Sequence, residues 1–318
     1  MTSIPIVFAI DRNVVMQCGV TITSLLKNAG KDTFYDIYIL YNRLNLNRDD
    51  QDLLQGAFTG DSKCRVSFVD VGDAFSESEG LATGHITTAT YFRLAIPGLF
   101  PQYDKVIYSD IDIIFQQDLT ELFQDSLHND ELLAAALDLS IDGNFFFDSK
   151  MPATIGKDSS NYFNAGFLVM NLQQLRDPEI LSQLAKHARI KYVQNDQDVL
   201  NIVCGERVQI LPSVYNFQPT QFAGYMWGRE RPDMDFGPIF KKATLHYTGP
   251  DKPWNSLACI ASDAWWHYYR QSPFYDDSFY FRHQSEQVES FRNDYRKKTN
   301  RDLLRRVLVN VKHKLMGN

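Results

Sequence analysis

The sequence predicts an α/β fold, a twisted and mostly parallel sheet with helices on both faces, and three observations lead there. Short apolar runs alternate with amphipathic stretches through the first third of the chain. With 318 residues, 44% of them hydrophobic, there is apolar material for one large core or two modest ones, which excludes a disordered tail or a fibrous repeat. No internal repeat or low-complexity segment interrupts the pattern, so the alternation reads as successive βα units.

Taken in order, Ile4–Ile10 is the first strand, Gln17–Ala29 a helix with Ile22, Leu25 and Leu26 on one side, and Tyr35–Tyr41 the second strand. A helix over Asn47–Phe58 and a strand over Cys64–Asp70 complete a βαβαβ unit, whose ligands sit at the carboxyl ends of the strands. Further strands are expected at Asp104–Ser109, Leu132–Leu137, Phe163–Asn171, Val208–Leu211 and Ala243–Tyr247, and further helices at Pro178–Lys191 and Asp196–Val203.

Composition excludes several classes of function. Lys and Arg number 32 against 39 Asp and Glu, and a net charge of −7 offers no bulk attraction for nucleic acid. Cys18, Cys64, Cys204 and Cys259 are far apart and include no C-x-x-C pair, which argues against a zinc knuckle or a disulfide framework and suits a reducing cytoplasm. The opening MTSIPIVFAI has no Lys or Arg before its short apolar run, and no run approaches ~18 apolar residues, so neither a signal peptide nor a spanning helix is expected. Neither G-x-G-x-x-G nor G-x-x-x-x-G-K-[ST] occurs.

The composition changes after about residue 262, dividing the chain into a main domain, 1–262, and a C-terminal extension, 263–318. Nine of the seventeen residues from Trp265 to Phe281 are aromatic, and Arg292 to Lys314 carries nine Lys or Arg against two Asp. Leu303, Leu304, Val307, Leu308, Val311 and Leu315 recur at helical spacing among these basic residues. A basic amphipathic helix of this kind either docks on the core as a terminus or lies on an anionic membrane surface; the like-signed charge beside an aromatic stretch points to a peripheral attachment through 292–318.

Four Asp-x-Asp triplets occur among thirty aspartates, so spacing alone selects none. In YDKVIYSDIDIIF, however, Asp110 and Asp112 close one apolar run with a second immediately after. Acids at i and i+2 of an extended chain point the same way, a costly pairing at a buried strand end unless a hard divalent cation neutralises it. Asp50/Asp52 and Asp233/Asp235 read as solvated turn carboxylates. In YFNAGFLVMNL, Ala165 and Gly166 permit close approach to the backbone and Asn164 offers donors and acceptors. In LHYTGPDKPW, His246 ends an apolar strand and the Gly249/Pro250 turn presents Lys252 and Trp254, a nitrogen ligand for a metal and a cation for phosphate.

Together these ordered motifs resemble glycosyltransferase family 8, particularly the bacterial lipooligosaccharide galactosyltransferases, over about residues 4 to 256. The resemblance implies a GT-A fold, Rossmann-like with a mixed, mostly parallel twisted sheet, followed here by a small aromatic and basic helical extension. It also implies Mn2+ (or Mg2+), a UDP-hexose donor, galactose or glucose, and transfer to a glycan acceptor with retention of configuration. VFAIDRN is similar to the family's uridine-binding strand end, which implies donor contacts from Ala9, Ile10, Asp11, Asn13 and Val14; Val14 stands where relatives carry a stacking aromatic. The likeness of SDIDIIF assigns the metal to Asp110 and Asp112, with Ile111 between them at the nucleotide, and the metal histidine corresponds to His246. TGPDKPW supplies Gly249, Lys252 and Trp254 toward the pyrophosphate, and TTATYFRL carries the family arginine as Arg93. Around the transferred sugar the resemblance places Asp138, Asn164, Ala165, Asp196 and Gln197, with Gln197 near the reacting face, and His85, Pro219 and Thr220 line the acceptor cleft.

Two rival readings use the same residues. A phosphatase with a strand-end D-x-D and Mg2+ wants Thr or Val two residues after the second Asp, where Ile114 stands, and leaves HYTGPDKPW without a role. A non-catalytic sugar-binding protein would use Tyr215, Phe217, Phe222, Tyr225 and Trp227 as stacking platforms but gives no reason for a metal triad beside a lysine.

Overall fold

The computed structural model describes residues 2–72, 88–139, 161–220, 222, 241–256, 259–283, 285–286, 288–289, 292–293 and 296. His85, the Asp233/Asp235 triplet and nearly all of the basic segment 292–318 lie outside the described residues. Among the described residues no helix is long and apolar enough to cross a membrane.

Strands β1 (Thr2–Ala9), β2 (Thr33–Tyr41) and β3 (Cys64–Asp70) alternate with helices α1 (Val15–Asn28) and α2 (Arg48–Ala57), as the apolar runs predict. Asn47 lies just outside α2, where its side chain accepts the Asp50 N–H at 2.8 Å, a cap that stabilises such a helix by ~1 kcal/mol. The chain continues through α3 (Ile96–Leu99), β4 (Lys105–Ser109), β5 (Ile113–Ile114), α4 (Thr120–Asp125), β6 (Leu133–Leu137) and β7 (Phe163–Asn171). Helices α5 (Leu172–Leu175), α6 (Pro178–His187) and α7 (Asp196–Cys204), strands β8 (Val208–Ile210) and β9 (Leu245–His246), and helix α8 (Ser262–Tyr269) follow.

Seven strands form one sheet in the order β3-β2-β1-β4-β7-β6-β8. Pairings within β3-β2-β1-β4 and between β6 and β8 are parallel, whereas β7 runs antiparallel to both its neighbours. After β1 the chain builds outward to β3 and then returns to the other side of β1 with β4, so the strand order reverses between β1 and β4, where open α/β sheets bind ligands. Both faces of the sheet are covered: Ile4, Ile6, Phe8, Ile37 and Ile107 enter one apolar cluster, and Val7, Leu40, Val106, Tyr108 and Leu168 another. Strands buried on both faces lack polar alternation, which is why they read as continuous apolar runs.

Away from the end of β4, two features differ from the sequence expectation. The run Ala243–Tyr247 contributes only Leu245 and His246 to a strand, and these pair with Ile114 and Ile113 in a separate two-stranded sheet. The Asp50/Asp52 triplet lies in helix α2 and not in a loop turn; Asp50 is in its first turn, where the helix dipole favours an acid, and Asp52 pairs with Arg48 at 3.0 Å. The aromatic stretch after residue 262 is docked on the main body: Trp265, Trp266 and Tyr269 are buried with Val20, Ile114 and Tyr247, and Phe274 packs against Gly19 of α1.

Candidate active site

The carboxyl ends of β1 and β4 lie side by side, in the register Val7↔Tyr108. Beyond β1, Asp11 caps a short 3-10 turn over Arg12–Val14 and accepts the Asn13 N–H at 2.8 Å. Beyond β4 the chain leaves strand geometry, so Asp110 and Asp112 flank a turn and do not lie on an extended strand. Two hydrogen bonds hold that turn: Thr21 of α1 donates to the Ile111 carbonyl at 2.6 Å and Asp110 N–H donates to Gly166 O at 2.7 Å. The Tyr247 N–H donates to Asp112 O at 3.0 Å, which extends the β5–β9 pairing and carries His246 to the acids.

His246 Nε2 lies 3.3 Å from Asp112 Oδ1 and 3.9 Å from Asp110 Oδ2. One donor atom from each of the three residues falls within 4.8 Å of the others. Gly166 makes room for this cluster, because a Cβ there would stand 2.8 Å from Asp110 Oδ2 and 2.9 Å from His246 Nδ1. The set of two carboxylates and an imidazole fits a divalent cation such as Mn2+, which takes oxygen and nitrogen ligands. Lys252 Nζ completes the rim, donating to Asp112 Oδ2 at 2.5 Å and to the Tyr247 carbonyl at 2.6 Å. Burial pushes the Asp112 pKa up, but Lys252 and His246 outweigh it and hold the carboxyl well below the usual range.

Arg93 is 2% exposed and spans two acids. Its Nη2 donates to Asp110 Oδ1 at 2.9 Å, its Nη1 to the Ala165 carbonyl, and its Nε to the Thr90 carbonyl at 3.0 Å. Asp196 Oδ2 is 2.8 Å from that same Nε, so it feels the guanidinium charge while the N–H serves Thr90. Burial opposes the charge on Arg93, yet Asp110 and Asp196 together hold its pKa above the ordinary guanidinium value. Burial likewise raises Asp196, to about 7, with Arg93 offsetting only part of the effect.

Next to Arg93 runs a chain of amides. Gln197 Nε2 donates to Asp138 Oδ2 at 2.9 Å, and Asn164 Nδ2 donates to the same oxygen at 3.1 Å. The Ala165 N–H donates to Gln197 Oε1 at 3.0 Å. Gln197 owes its place to Asn195, which is fully buried with φ of 52° and turns the chain sharply into α7. Asp198, one residue beyond Gln197 on α7, accepts the Tyr162 hydroxyl at 2.6 Å and the Gln194 N–H at 2.8 Å, so the Asp196/Asp198 triplet has two separate uses.

The fold therefore gathers Arg93, Asp110, Asp112, Asp138, Asn164, Ala165, Asp196, Gln197, His246 and Lys252 into one bonded cluster. Ala9, Ile10, Asp11, Asn13 and Val14 stand beside it at the β1 end, and Gly249, with φ of 83°, forms the turn before Lys252. Trp254 packs on Trp265, ring centroids 5.4 Å apart, in the aromatic cluster. Pro219 is buried and Thr220 half-buried just after Gln218, whose side chain donates to the Leu137 carbonyl at 3.1 Å beside Asp138. Sequence reasoning missed Tyr108, whose hydroxyl donates to Asp110 Oδ1 at 2.7 Å and whose ring lies 4.4 Å under the Arg93 guanidinium, and also Asn216, whose Oδ1 is 2.9 Å from His246 Nδ1. A tyrosine inside an apolar strand and an asparagine in a loop carry no signal of their own in one sequence.

Comparison with known proteins agrees with this geometry. The galactosyltransferase LgtC, solved with donor and acceptor sugar analogs, superposes with a TM-score of 0.69 at 26% identity, covering 87% of this chain and 99% of that one. The bifunctional glycosyltransferase WbbM gives 0.71 at 27% identity over 88% of this chain, which spans about half (52%) of the WbbM chain. The expected GT-A fold is the one observed. A lipopolysaccharide 1,3-galactosyltransferase of Salmonella typhimurium is 28% identical, over 79% of this chain and 73% of that protein. The lipopolysaccharide glucosyltransferase WaaO of Escherichia coli is 27% identical, over 80% and 73%. The model of glycosyl transferase family 8 matches residues 5–258, and on that match, with this fold and this site, the chain belongs to glycosyltransferase family 8.

Proposed function

We propose that the protein transfers a hexose, galactose or glucose, from its UDP-sugar to a hydroxyl of a surface glycan, with retention of anomeric configuration. The acceptor class is a lipooligosaccharide, another polysaccharide or a glycoprotein glycan. The observation that carries the reading is the convergence of Asp110, Asp112 and His246 on one point at the β1/β4 switch, with Lys252 and Arg93 beside it. The relatives whose names specify lipopolysaccharide galactosyl and glucosyl transfer support the substrate class.

Asp110, Asp112 and His246 would hold the divalent ion, Mn2+ or Mg2+, which supplies positive charge against the charge developing on the departing diphosphate. Lys252, on the turn that Gly249 opens, adds a second cation on the same side. Asp11, Asn13 and the backbone from Ala9 to Val14, together with Ile111, Gly249 and Trp254, form the nucleotide side, with Val14 offering less stacking area than an aromatic ring. Arg93, Asp138, Asn164, Ala165 and Asp196 would surround the transferred sugar, and the family resemblance assigns His85, Pro219 and Thr220 to the acceptor side. The Gln197 amide oxygen is engaged by the Ala165 N–H and its nitrogen by Asp138, which supports a role in positioning and same-face attack by the acceptor hydroxyl, because an amide so committed is a poor nucleophile. The basic segment 292–318 would attach the enzyme peripherally to the cytoplasmic face of an anionic membrane, and sedimentation with anionic liposomes at low salt tests that part.

The deciding experiment is UDP release from a panel of UDP-sugars with Mn2+ and with EDTA, followed by mass spectrometry of the product. Release from UDP-galactose or UDP-glucose that EDTA abolishes supports the proposal. Hydrolysis of p-nitrophenyl phosphate would favour the phosphatase, and neither activity the sugar-binding protein.

A further inference from the structure

Asn216 lies in the segment between β8 and β9, is fully buried, and bridges His246 to Asn164. The direction of every hydrogen bond in this chain follows from one backbone group. The Gly166 N–H donates to an Asn164 side-chain atom at 3.0 Å, so that atom is the carbonyl oxygen. The other end of the Asn164 amide is then its nitrogen, which suits its partner, the Asp138 carboxylate at 3.1 Å. The Asn216 atom 3.0 Å from Asn164 Oδ1 must in turn be a donor, its Nδ2, which leaves Oδ1 facing His246 Nδ1 at 2.9 Å. A carbonyl oxygen only accepts, so Nδ1 carries the hydrogen. In the neutral ring the lone pair then sits on Nε2, the nitrogen that faces Asp112 and Asp110.

We propose that Asn216 is a positioning residue for the metal site: it sets the tautomer and the ring orientation of His246, so that Nε2 presents a lone pair to the cation. Through Asn164 and Asp138 it also ties that ligand to Gln197, so the metal end and the sugar end share one hydrogen-bonded frame pinned by the N–H groups of Ala165 and Gly166. This rests on the metal reading of the triad. Partners behind a ligating histidine are worth roughly 10- to 100-fold in metal affinity or activity.

The test uses the full chain and Mn2+ alone. Electron paramagnetic resonance titration should show Asn216→Leu, which keeps the branched shape and loses both hydrogen bonds, binding Mn2+ roughly 10- to 100-fold more weakly than the parent. Asn216→Asp retains an acceptor for Nδ1 but sets its second oxygen against Asn164 Oδ1, so it should recover only part of that loss, whereas a merely structural role predicts at least as much damage from the buried aspartate as from leucine. Long-range proton–nitrogen spectra of histidine-labelled, metal-free parent protein, with His246→Ala for assignment and at a pH where the ring is neutral, should show the Nδ1–H form. That measurement decides the matter even where Asn216→Leu does not fold. The Nε2–H form, or equal Mn2+ affinity in Asn216→Leu, overturns the role of Asn216 and leaves the metal reading standing. Parent protein that binds no Mn2+ overturns the metal reading itself.

Discussion

Replacing Gly166 with alanine challenges the site with a single methyl group. The new Cβ would stand 2.8 Å from Asp110 Oδ2 and 2.9 Å from His246 Nδ1, and closer still to His246 Cε1. Carbon atoms in ordinary contact lie about 3.5–4.0 Å apart, so the imidazole must retreat by roughly 1 Å. It has little room, being 4% exposed with Nδ1 held 2.9 Å from Asn216. Overpacking of this kind costs about 1–3 kcal/mol, less than a domain's total stability of about 5–15 kcal/mol, so the fold should survive. A displacement of about 1 Å in a group that must meet a cation is a different matter, on the order of 100-fold in activity. The expected outcome is a cooperatively unfolding Gly166→Ala protein, shown by urea denaturation, with Mn2+ affinity and Mn2+-dependent UDP release each reduced about 100-fold. A natively folded variant with parental Mn2+ affinity would refute the claim that glycine is there to seat His246 and Asp110.

The other predictions concern the ligands, a buried acid and a control. Asp110→Asn, Asp112→Asn and His246→Ala should each abolish Mn2+-dependent UDP release while far-ultraviolet circular dichroism stays unchanged; full activity of any one in EDTA would end the metal reading. Asp196, raised to about 7 in the folded protein against about 4 unfolded, binds its proton more tightly in the native state, so its stabilising contribution is complete below pH ~4 and is lost as pH rises through ~7. Three units correspond to about 4 kcal/mol, and in Asp196→Asn this part of the pH dependence should vanish from urea unfolding between pH 4.5 and 7.5, whatever the variant's absolute stability. Gly56 lies inside α2, where an added methyl group would meet nothing within 4 Å, and should by contrast accept alanine with a gain of about 0.5–1 kcal/mol and no change in UDP release.

How much of this was legible depended on whether the signal was local. Cys64–Asp70 and Phe163–Asn171 are strands with the bounds the sequence suggested, because the first alternates apolar and polar residues and the second is a mostly apolar run. Asn47 and Asp177 mark helix starts by the same local chemistry, each accepting a backbone N–H of the first turn at 2.8 Å. The acids at 110 and 112 stood out from three other triplets through their apolar flanks, although the turn between β4 and β5, and not strand pleating, brings them together. Non-local facts were not legible. Apolar content marks Leu245 and His246 as strand-like but does not say that their partners are Ile114 and Ile113 and not the main sheet. The FNAG run signalled close approach to the backbone at Gly166, yet what approaches is the chain's own His246 and Asp110. Asn216 has no spacing or neighbour that distinguishes it, and its role exists only in the hydrogen-bond directions of the folded state.

The antiparallel strand explains why this sheet can hold such a site. The parallel strands β1 and β4 end at the rim by delivering carboxyl-terminal residues, as Asp11 and Asp110 show. Because β7 runs the other way, with Ser109 opposite Phe167, it brings its beginning to the same rim. Asn164, Ala165 and Gly166 therefore arrive there, and the backbone N–H groups of Ala165 and Gly166 donate to side chains. The Gly166 N–H directs Asn164, and through it Asn216 and His246; the Ala165 N–H directs Gln197. The Gly166 carbonyl meanwhile accepts the Asp110 N–H at 2.7 Å, which fixes where the first acid leaves β4. The second acid is set by register in the small sheet, since Asp112 precedes Ile113 and Ile113 pairs with His246. A slip of one residue there would turn His246 to the opposite face and place Tyr247 toward the acids. Two pairings, β4 with β7 and β5 with β9, thus determine the positions of all three ligands and the polarity of the frame behind them.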